Sequence, residues 1–187
     1  MILPIIVYGS PILKQKASEI DAEFENLAEL IQNMWQTMYQ ASGIGLAAPQ
    51  INKSIRLFIV DTAQLEDRKK DEPNFVGIKK VFINPQITEE IGAEWKYEEG
   101  CLSIPGIREN VERKPDITIT YQDEQFNTMT ESYSGLNARV IQHEYDHIEG
   151  VLFTDKVKPL TKKLIQSKLN KIMRGDFRAD YKTKSVK

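Results

Sequence analysis

The segment QHEYDH at positions 142–147 contains the chain's two histidines, His143 and His147, set four positions apart with Glu144 between them. In a helix, residues four apart lie on the same face, so both imidazoles can reach one metal ion. The glutamate of such an HExxH pattern lies beside the metal as a proton carrier. Because the short pattern also occurs by chance, its surroundings must decide between a metal site and ordinary helical histidines.

The residues before the motif favour the metal site. Leu136 and Val140 precede His143 and His147 at helical spacing, which predicts one stripe that faces the core. Two imidazoles buried among aliphatic side chains need partners for their nitrogens, and a metal ion satisfies one nitrogen of each ring. The stripe therefore indicates a buried metal centre.

Two histidines leave a metal ion short of protein ligands, so the chain must supply a third donor. The extended HExxH pattern places a third histidine where this chain has Phe153, and no glutamate follows Glu149. Cys101 is the remaining strong donor, and Asp155 stays open as an alternative close to the helix. A cysteine with two histidines leaves one tetrahedral position for water, whereas a structural zinc site needs four such ligands. With one cysteine and two histidines in total, the sequence predicts an open, catalytic centre.

The composition is that of a globular protein. Its 187 residues are 41% hydrophobic and 28% charged with a net charge of −2, which suits one domain spanning residues 1–187. Residues 155–187 form a basic C-terminal helix and tail. A single cysteine excludes an intramolecular disulfide, and no signal peptide or membrane-spanning run is recognisable. We therefore expect a cytoplasmic protein.

Hydrophobic periodicity predicts the other elements. The predicted helical segments are one turn near Ile12–Lys16, a helix over Ala22–Gln40 capped by Asp21, the HExxH helix between Ser134 and Gly150, and a last helix over Leu160–Met173 with an apolar stripe of Leu160, Leu164, Leu169 and Ile172. The predicted strands are Ile55–Asp61, Val81–Asn84, Trp95–Glu98, Asn110–Arg113, Asp116–Tyr121, Asn127–Tyr133 and Val151–Phe153. Pro85 is expected to end the second strand, and a charged, solvated loop is expected over Gln64–Asn74.

The small-residue run GIGLAAPQ at positions 43–50 allows two interpretations. It is either a tight, closely packed turn between elements or a loop whose backbone approaches a ligand, with Gln50 supplying an amide donor. It is not a phosphate-binding loop, because it lacks the Gly-Lys-Ser/Thr ending.

Three segments together resemble the peptide deformylase family. They are GIGLAAPQ at 43–50, EGCLS at 99–103 and QHEYDH at 142–147, in the family's order and without departure from its motifs. The resemblance implies an α+β fold, with small antiparallel β-sheets around a central HExxH helix and with an N-terminal and a C-terminal helix. The helical C-terminus is similar to that of the bacterial branch.

The resemblance also implies the site. Cys101, His143 and His147 would hold the metal, and Glu144 would act as general base and then general acid. The Gln50 side chain and the Leu102 backbone N–H would stabilise the oxyanion. The implied substrate-binding residues are Gly43, Ile44, Gly45, Tyr97, Gly100, Arg108, Leu136 and Val140, with the last two as walls of an apolar methionine pocket.

The implied activity is removal of the N-formyl group from the formylmethionine of new peptides, with release of formate. The family typically works with one Fe²⁺ ion, for which Zn²⁺, Ni²⁺ or Co²⁺ can substitute. The expected partners are N-formylmethionyl nascent peptides and, through the basic C-terminal helix, the ribosome; a membrane or a specific nucleic-acid sequence is not expected. Two alternatives stay open from the residues: an HExxH zinc endopeptidase and a non-catalytic, metal-dependent binding protein.

Overall fold

The computed structural model describes residues 1–65 and 75–185. Most of the predicted charged loop, residues 66–74, lies outside the described residues. The described helices are α1 Leu27–Gln40, α2 Gly135–Ile148, α3 Phe153–Lys156 and α4 Pro159–Met173. The described strands are β1 Ile5–Ile6, β2 Gly45–Ala47, β3 Leu57–Asp61, β4 Lys79–Ile91, β5 Trp95–Cys101, β6 Ile104–Arg113, β7 Asp116–Gln122, β8 Thr128–Ser134 and β9 Thr183–Lys184. Short 3₁₀ helices cover Pro11–Lys14 and Ala48–Ile51.

The strands form three small sheets. Five of them make an antiparallel sheet in the order β2-β3-β4-β7-β8, and β5 pairs with β6 as a separate antiparallel hairpin. β1 and β9 form a short parallel pair that joins the two ends of the described chain. Antiparallel sheets with helices between and beside them make the fold α+β, as expected.

Helix α2 packs against β2, β3, β7 and β8. Its apolar residues Leu136, Val140 and Ile141 are buried in one core cluster with Phe58 and Phe82 of the five-stranded sheet. Gly150 ends the helix at a φ of 73°, where an added Cβ would lie 2.8 Å from the Lys14 backbone. The helix that carries HExxH is therefore fixed along its apolar face and at its C-terminal end.

The first long helix starts later than the sequence suggested. The Oδ1 of Asp21 accepts the Glu23 N–H at 3.0 Å, and the Asp21 carbonyl accepts the Phe24 N–H, which makes a local turn. Asn26 then adopts a left-handed φ of 58° immediately before α1. The predicted start at Ala22 is wrong, because Asp21 bonds within its own turn.

Pro85 does not end the second long strand. β4 runs through it, because the register between β4 and β7 shifts between Ile83 and Gln86. A proline is tolerated at such a bulge, where its position needs no ladder hydrogen bond. The prediction of a short strand over Val81–Asn84 was therefore wrong in length.

Two short segments have a secondary structure that the sequence did not predict. The run at 43–50 is neither only a turn nor only a loop, because it includes the edge strand β2, paired with β3, and the 3₁₀ helix that follows it. Instead of a strand over Val151–Phe153, the short helix α3 begins at Phe153. Asp155 accepts the Leu152 N–H at 2.9 Å and so turns the chain into this helix.

The last helix buries only part of the predicted stripe. Ile165, Leu169 and Ile172 of α4 face the core, whereas Leu160 and Leu164 are 71% and 74% exposed. The prediction is confirmed for Leu169 and Ile172, whereas Ile165 takes the place of Leu160 and Leu164 on the buried face. Periodicity alone did not distinguish these neighbouring apolar positions.

Candidate active site

Three potential metal ligands converge between β5 and α2. Cys101 ends β5, and His143 and His147 lie one turn apart on α2. The ligand atoms of these residues all lie within 4.8 Å of one another. The Cys101 Sγ is 3.2 Å from the His147 Nε2, and the two imidazole rings are 5.1 Å apart between centroids. A thiolate and two imidazoles at this separation are a donor set that suits a divalent transition metal.

Glu99 orients the first histidine. Its Oε2 lies 2.9 Å from the His143 Nδ1. Because an ionised carboxylate can only accept, the Nδ1 carries the proton, and the Nε2 is left for a metal ion. This carboxylate–histidine arrangement fixes both the tautomer and the direction of the ring.

The Glu99 carboxylate is itself held by two buried arginines. The Nε and a terminal nitrogen of Arg113 donate to its two oxygens at 2.7 and 2.9 Å, and Arg139 donates at 3.0 Å. Burial by itself would raise the pKa of Glu99, but the hydrogen bonds from Arg113 and His143 and the charge of Arg113 lower it well below its usual range. Glu99 is therefore a permanent anion behind His143.

Arg113 also contacts α2, the helix that carries the HExxH motif. Arg113 donates to the Asp146 Oδ2 at 2.7 Å, and the Lys156 Nζ lies 3.2 Å from the Asp146 Oδ1. Arg139 stacks over the Trp95 ring with its guanidinium carbon 4.5 Å from the ring centroid. The network ties β5, β6 and α2 together around the candidate metal ligands, and removal of one partner from such a buried pair costs about 3–5 kcal/mol.

Glu144 lies beside the converging donors. It is buried, and its Oε2 has no hydrogen-bond partner among the described residues. Burial raises its pKa to about 7, with the positive His143 opposing and the negative Glu99 adding to that rise. A Cβ on Gly45 would lie 2.4 Å from the Glu144 Oε1, so a glycine is required for this carboxylate to keep its place.

Gln50 and the β5–β6 turn supply hydrogen-bond donors next to the thiol. The Gln50 Oε1 accepts the Ala47 N–H at 2.8 Å, and its Nε2 donates to the Ser103 Oγ at 3.1 Å. The same Nε2 lies 3.5 Å from the Cys101 Sγ. These bonds fix the orientation of a buried amide whose donor group points toward the ligands.

A cavity of about 520 Å³ opens onto these groups. All the site residues expected from the sequence line this cavity, except His147. These thirteen residues are Gly43, Ile44, Gly45, Gln50, Tyr97, Gly100, Cys101, Leu102, Arg108, Leu136, Val140, His143 and Glu144. His147 does not line the cavity, and only 1% of its surface is exposed to solvent. Arg108 is paired with Glu98, its Nε donating at 2.8 Å, at the exposed edge of the cavity.

Asp155 does not belong to the cluster. It accepts the Leu152 N–H and pairs with Lys14 and Lys162, so it is already engaged in a separate ion-pair group. In the described parts of the chain, Cys101, His143 and His147 are the group of potential ligands that could hold a metal ion. The open alternative for the third donor is thereby decided against Asp155.

Comparison with known proteins agrees with this geometry. A sequence profile of the polypeptide deformylase family matches residues 2–163. The chain is 58% identical over 186 residues to a peptide deformylase of Christiangramia forsetii, covering 97% of this chain and 95% of the relative. It is 54% identical to one of Flavobacterium psychrophilum, covering 100% and 98%.

The chain belongs to the polypeptide deformylase family.

The fold agrees as well. The crystal structure of a peptide deformylase from Legionella pneumophila superimposes with a TM-score of 0.80 at 34% identity, over 93% of this chain and 96% of that one. Family membership confirms the expected activity, which is removal of the N-formyl group from newly made peptides by a metal-dependent hydrolase. The family therefore gives no support to the alternatives of an endopeptidase or a purely binding protein.

Several residues of the candidate site were not identified from the sequence. Glu99 and Asp146 stand inside the EGCLS and QHEYDH segments, and their position beside ligands was a usable signal. Arg113 and Arg139 carried no signal, because their partners are far away in sequence. The tail residues Arg178–Tyr181, which also line the cavity, carried none either.

Proposed function

We propose that Cys101, His143 and His147 hold one divalent metal ion with which the chain hydrolyses the formamide of N-formylmethionyl peptides. The observation that supports this most is the convergence of a thiol and two imidazoles beside a buried carboxylate that has an unpartnered oxygen among the described residues. When bound, the metal ion supplies Lewis acidity that lowers the pKa of water toward neutrality. The donor set fits such an ion, since Glu99 leaves the outer nitrogen of His143 free for it.

Glu144 is assigned the proton transfers. The buried carboxylate, which keeps one oxygen without a hydrogen-bond partner among the described residues, can accept a proton from the attacking water and release it again. The water oxygen bonds to the formyl carbon, and the proton held by Glu144 passes to the amine nitrogen as the C–N bond breaks. Formate and a free amino terminus leave, so that atoms and charge balance.

The oxyanion that develops on the formyl oxygen needs preorganised donors. We assign this role to the Gln50 side-chain amide and the Leu102 backbone N–H, which both border the cavity next to Cys101. Gln50 is suited to it because its carbonyl oxygen is already fixed by Ala47 and its amide faces the thiol. No reorganisation of the amide is then needed during the reaction.

The methionine side chain is assigned to the apolar part of the cleft. Leu136 and Val140 of α2 line the cavity one and two turns before His143, with Ile44 and Tyr97 as neighbours. Gly43, Gly45 and Gly100 allow the peptide backbone to approach closely, and Arg108 contacts it at the rim. An unblocked amino terminus is charged and fits poorly beside a metal cation, which accounts for preference for the formylated end.

Iron is the metal that we propose for the cell. The Cys-His-His donor set suits zinc by ligand type, whereas the resemblance implies Fe²⁺, with Zn²⁺, Ni²⁺ or Co²⁺ as substitutes. A ferrous ion beside a thiolate is sensitive to oxygen. Activity of the iron form is therefore expected to fade in air and to return after anaerobic reloading.

The wider setting is also a proposal. We infer a single metallohydrolase domain over residues 1–187, with its sheets arranged around α2, acting in the cytoplasm. Within residues 1–65 and 75–185, no helix is long enough and apolar enough to cross a membrane. The basic segment 155–187 includes exposed Lys163 and Lys168 on α4 beside exposed Leu164, which supports docking to the ribosome.

Ribosome docking predicts a charge effect. The double variant Lys163→Glu/Lys168→Glu is expected to lose salt-sensitive co-sedimentation with ribosomes, while the matched variant Lys53→Glu/Lys96→Glu retains it. Both pairs are exposed, so the two variants differ mainly in location. Equal co-sedimentation of the two variants would refute docking through α4.

The activity itself is tested by product analysis. Incubation with formyl-Met-Ala-Ser is expected to release one formate per new amino terminus, whereas Met-Ala-Ser stays intact. Cleavage at an internal peptide bond without formate would support the endopeptidase and contradict the proposal.

A further inference from the structure

The tail that follows α4 turns back toward the cleft. Gly175 follows the helix with a φ of 78°. Its N–H donates a hydrogen bond to the Ile172 carbonyl, and the Asp176 N–H donates one to the Lys171 carbonyl. This Schellman ending reverses the chain direction. The tail is then fixed at its far end, where Ile5 donates to the Lys182 carbonyl at 2.8 Å and Val7 to that of Lys184 at 3.2 Å.

Between these two fixed points the tail borders the substrate cavity. Residues Arg178–Tyr181 line it together with the residues assigned to catalysis. Tyr181 is half-buried, and like Leu102 it packs against a buried apolar cluster that contains Met38 and Leu46. Its hydroxyl donates to the Leu102 carbonyl at 2.7 Å, across 79 positions of sequence.

Three hydrogen bonds restrain the turn at Leu102 and Ser103 between β5 and β6. The Tyr8 N–H donates to the Ser103 carbonyl at 2.8 Å, Gln50 donates to the Ser103 hydroxyl, and Tyr181 donates to the Leu102 carbonyl. Of these bonds, the one from Tyr181 is made to the residue whose N–H is assigned to the oxyanion. Burial, with the nearby negative Cys101 and Asp180, raises the pKa of Tyr181 to about 12, so its hydroxyl is a donor at any assay pH near neutrality.

We propose that Tyr181 is a positioning residue for deformylation, whose hydroxyl holds the Leu102–Ser103 peptide plane and thereby the position of the turn that carries the Leu102 N–H. This role rests on the proposed function of Leu102 as an oxyanion donor. The carbonyl and the N–H of Leu102 lie in successive peptide planes that share its Cα, so restraint of the carbonyl limits movement of this Cα and of the N–H next to it. An oxyanion donor is effective only when its position is set in advance. The C-terminal tail thus belongs to the catalytic site although it lies outside the three motifs.

The test compares Tyr181→Phe with Tyr133→Phe. Each variant loses one tyrosine hydroxyl that donates a hydrogen bond, but the Tyr133 hydroxyl donates to Glu131 and does not line the cavity. For Tyr181→Phe we expect kcat for formyl-Met-Ala-Ser to fall about 2- to 12-fold, which corresponds to the net free energy of one hydrogen bond. KM is expected to stay within about twofold, because the ring and the cavity wall remain.

The outcomes separate the two proposals. Tyr133→Phe should keep the wild-type kcat, and both variants should bind one metal ion per chain. A kcat of Tyr181→Phe equal to that of the wild type, or an equal fall in both variants, overturns the role of Tyr181 while the wild type still releases formate. A wild-type chain that releases no formate overturns the proposed function and this role with it.

Discussion

Replacement of Glu144 by glutamine is expected to lower kcat for formate release by about 10²- to 10⁴-fold, the usual contribution of general acid–base catalysis. Glutamine has nearly the same shape, so it fits against Gly45, but its amide cannot accept the proton of the attacking water. The buried carboxylate oxygen, which is unpartnered within the described residues, is then lost as a base. The measurement is steady-state formate release together with metal analysis.

Metal content decides how the result is interpreted. The Glu144→Gln variant should still bind one metal ion per chain, because Cys101, His143 and His147 are unchanged. Glu112→Gln is the matched control, since Glu112 is 40% exposed and lies outside the cavity lining. Retained turnover in Glu144→Gln would refute the general-base assignment and would revive the non-catalytic interpretation of the motif.

Replacement of Cys101 by alanine is expected to remove both the metal ion and the activity. Two imidazoles alone leave the ion with too few protein ligands, and loss of the thiolate also removes the charge that balances the cation. We expect less than about a tenth of an equivalent of metal after dialysis and at least a thousandfold lower formate release. Metal analysis and the same kinetic assay measure the two effects.

Asp155→Asn is the control for this loss. Asp155 was the other donor that the sequence left open, and the structure places it in an ion-pair group with Lys14 and Lys162. Its replacement should weaken that surface group but keep the metal ion and the turnover. Metal loss in Asp155→Asn with retention in Cys101→Ala would reverse the assignment of the third ligand.

The sequence was most informative where chemistry is encoded by short spacing. The separation of His143 and His147 sets both rings on one helical face, and the scarcity of other donors indicated Cys101. The cavity residues that the family resemblance implied, from Gly43 to Val140, also come together around these candidate ligands. The histidine spacing survives folding because a single helix, α2, carries both rings.

Features that depend on contacts between distant segments were missed. Arg113 is buried only because Glu99 and Asp146 lie across from it, and nothing near it in sequence predicts that pairing. Tyr181 reaches Leu102 only because the chain reverses at Gly175 and pairs with β1. Long-range pairings of this kind carry no periodic signal.

Errors in the elements have local causes. Asp21 fits the composition of a helix cap, yet its carboxylate bonds within its own turn, and α1 begins after Asn26. Pro85 is an ordinary strand breaker, but the bulge between β4 and β7 accommodates it. Leu164 and Ile165 are neighbours on α4, and only the packing of this helix against β6 shows that Ile165 is the buried one. In each case tertiary contacts overrode a reasonable local preference.

The central claim is that one divalent metal ion, held by Cys101, His143 and His147, drives deformylation. Its most direct test is anaerobic titration of the metal-free chain with Fe(II) while formate release from formyl-Met-Ala-Ser is measured. The claim predicts a rate that rises linearly to one equivalent of iron and then stays constant, with a lower plateau for Zn(II). Formate release that does not depend on metal, or that rises beyond one equivalent, would contradict it.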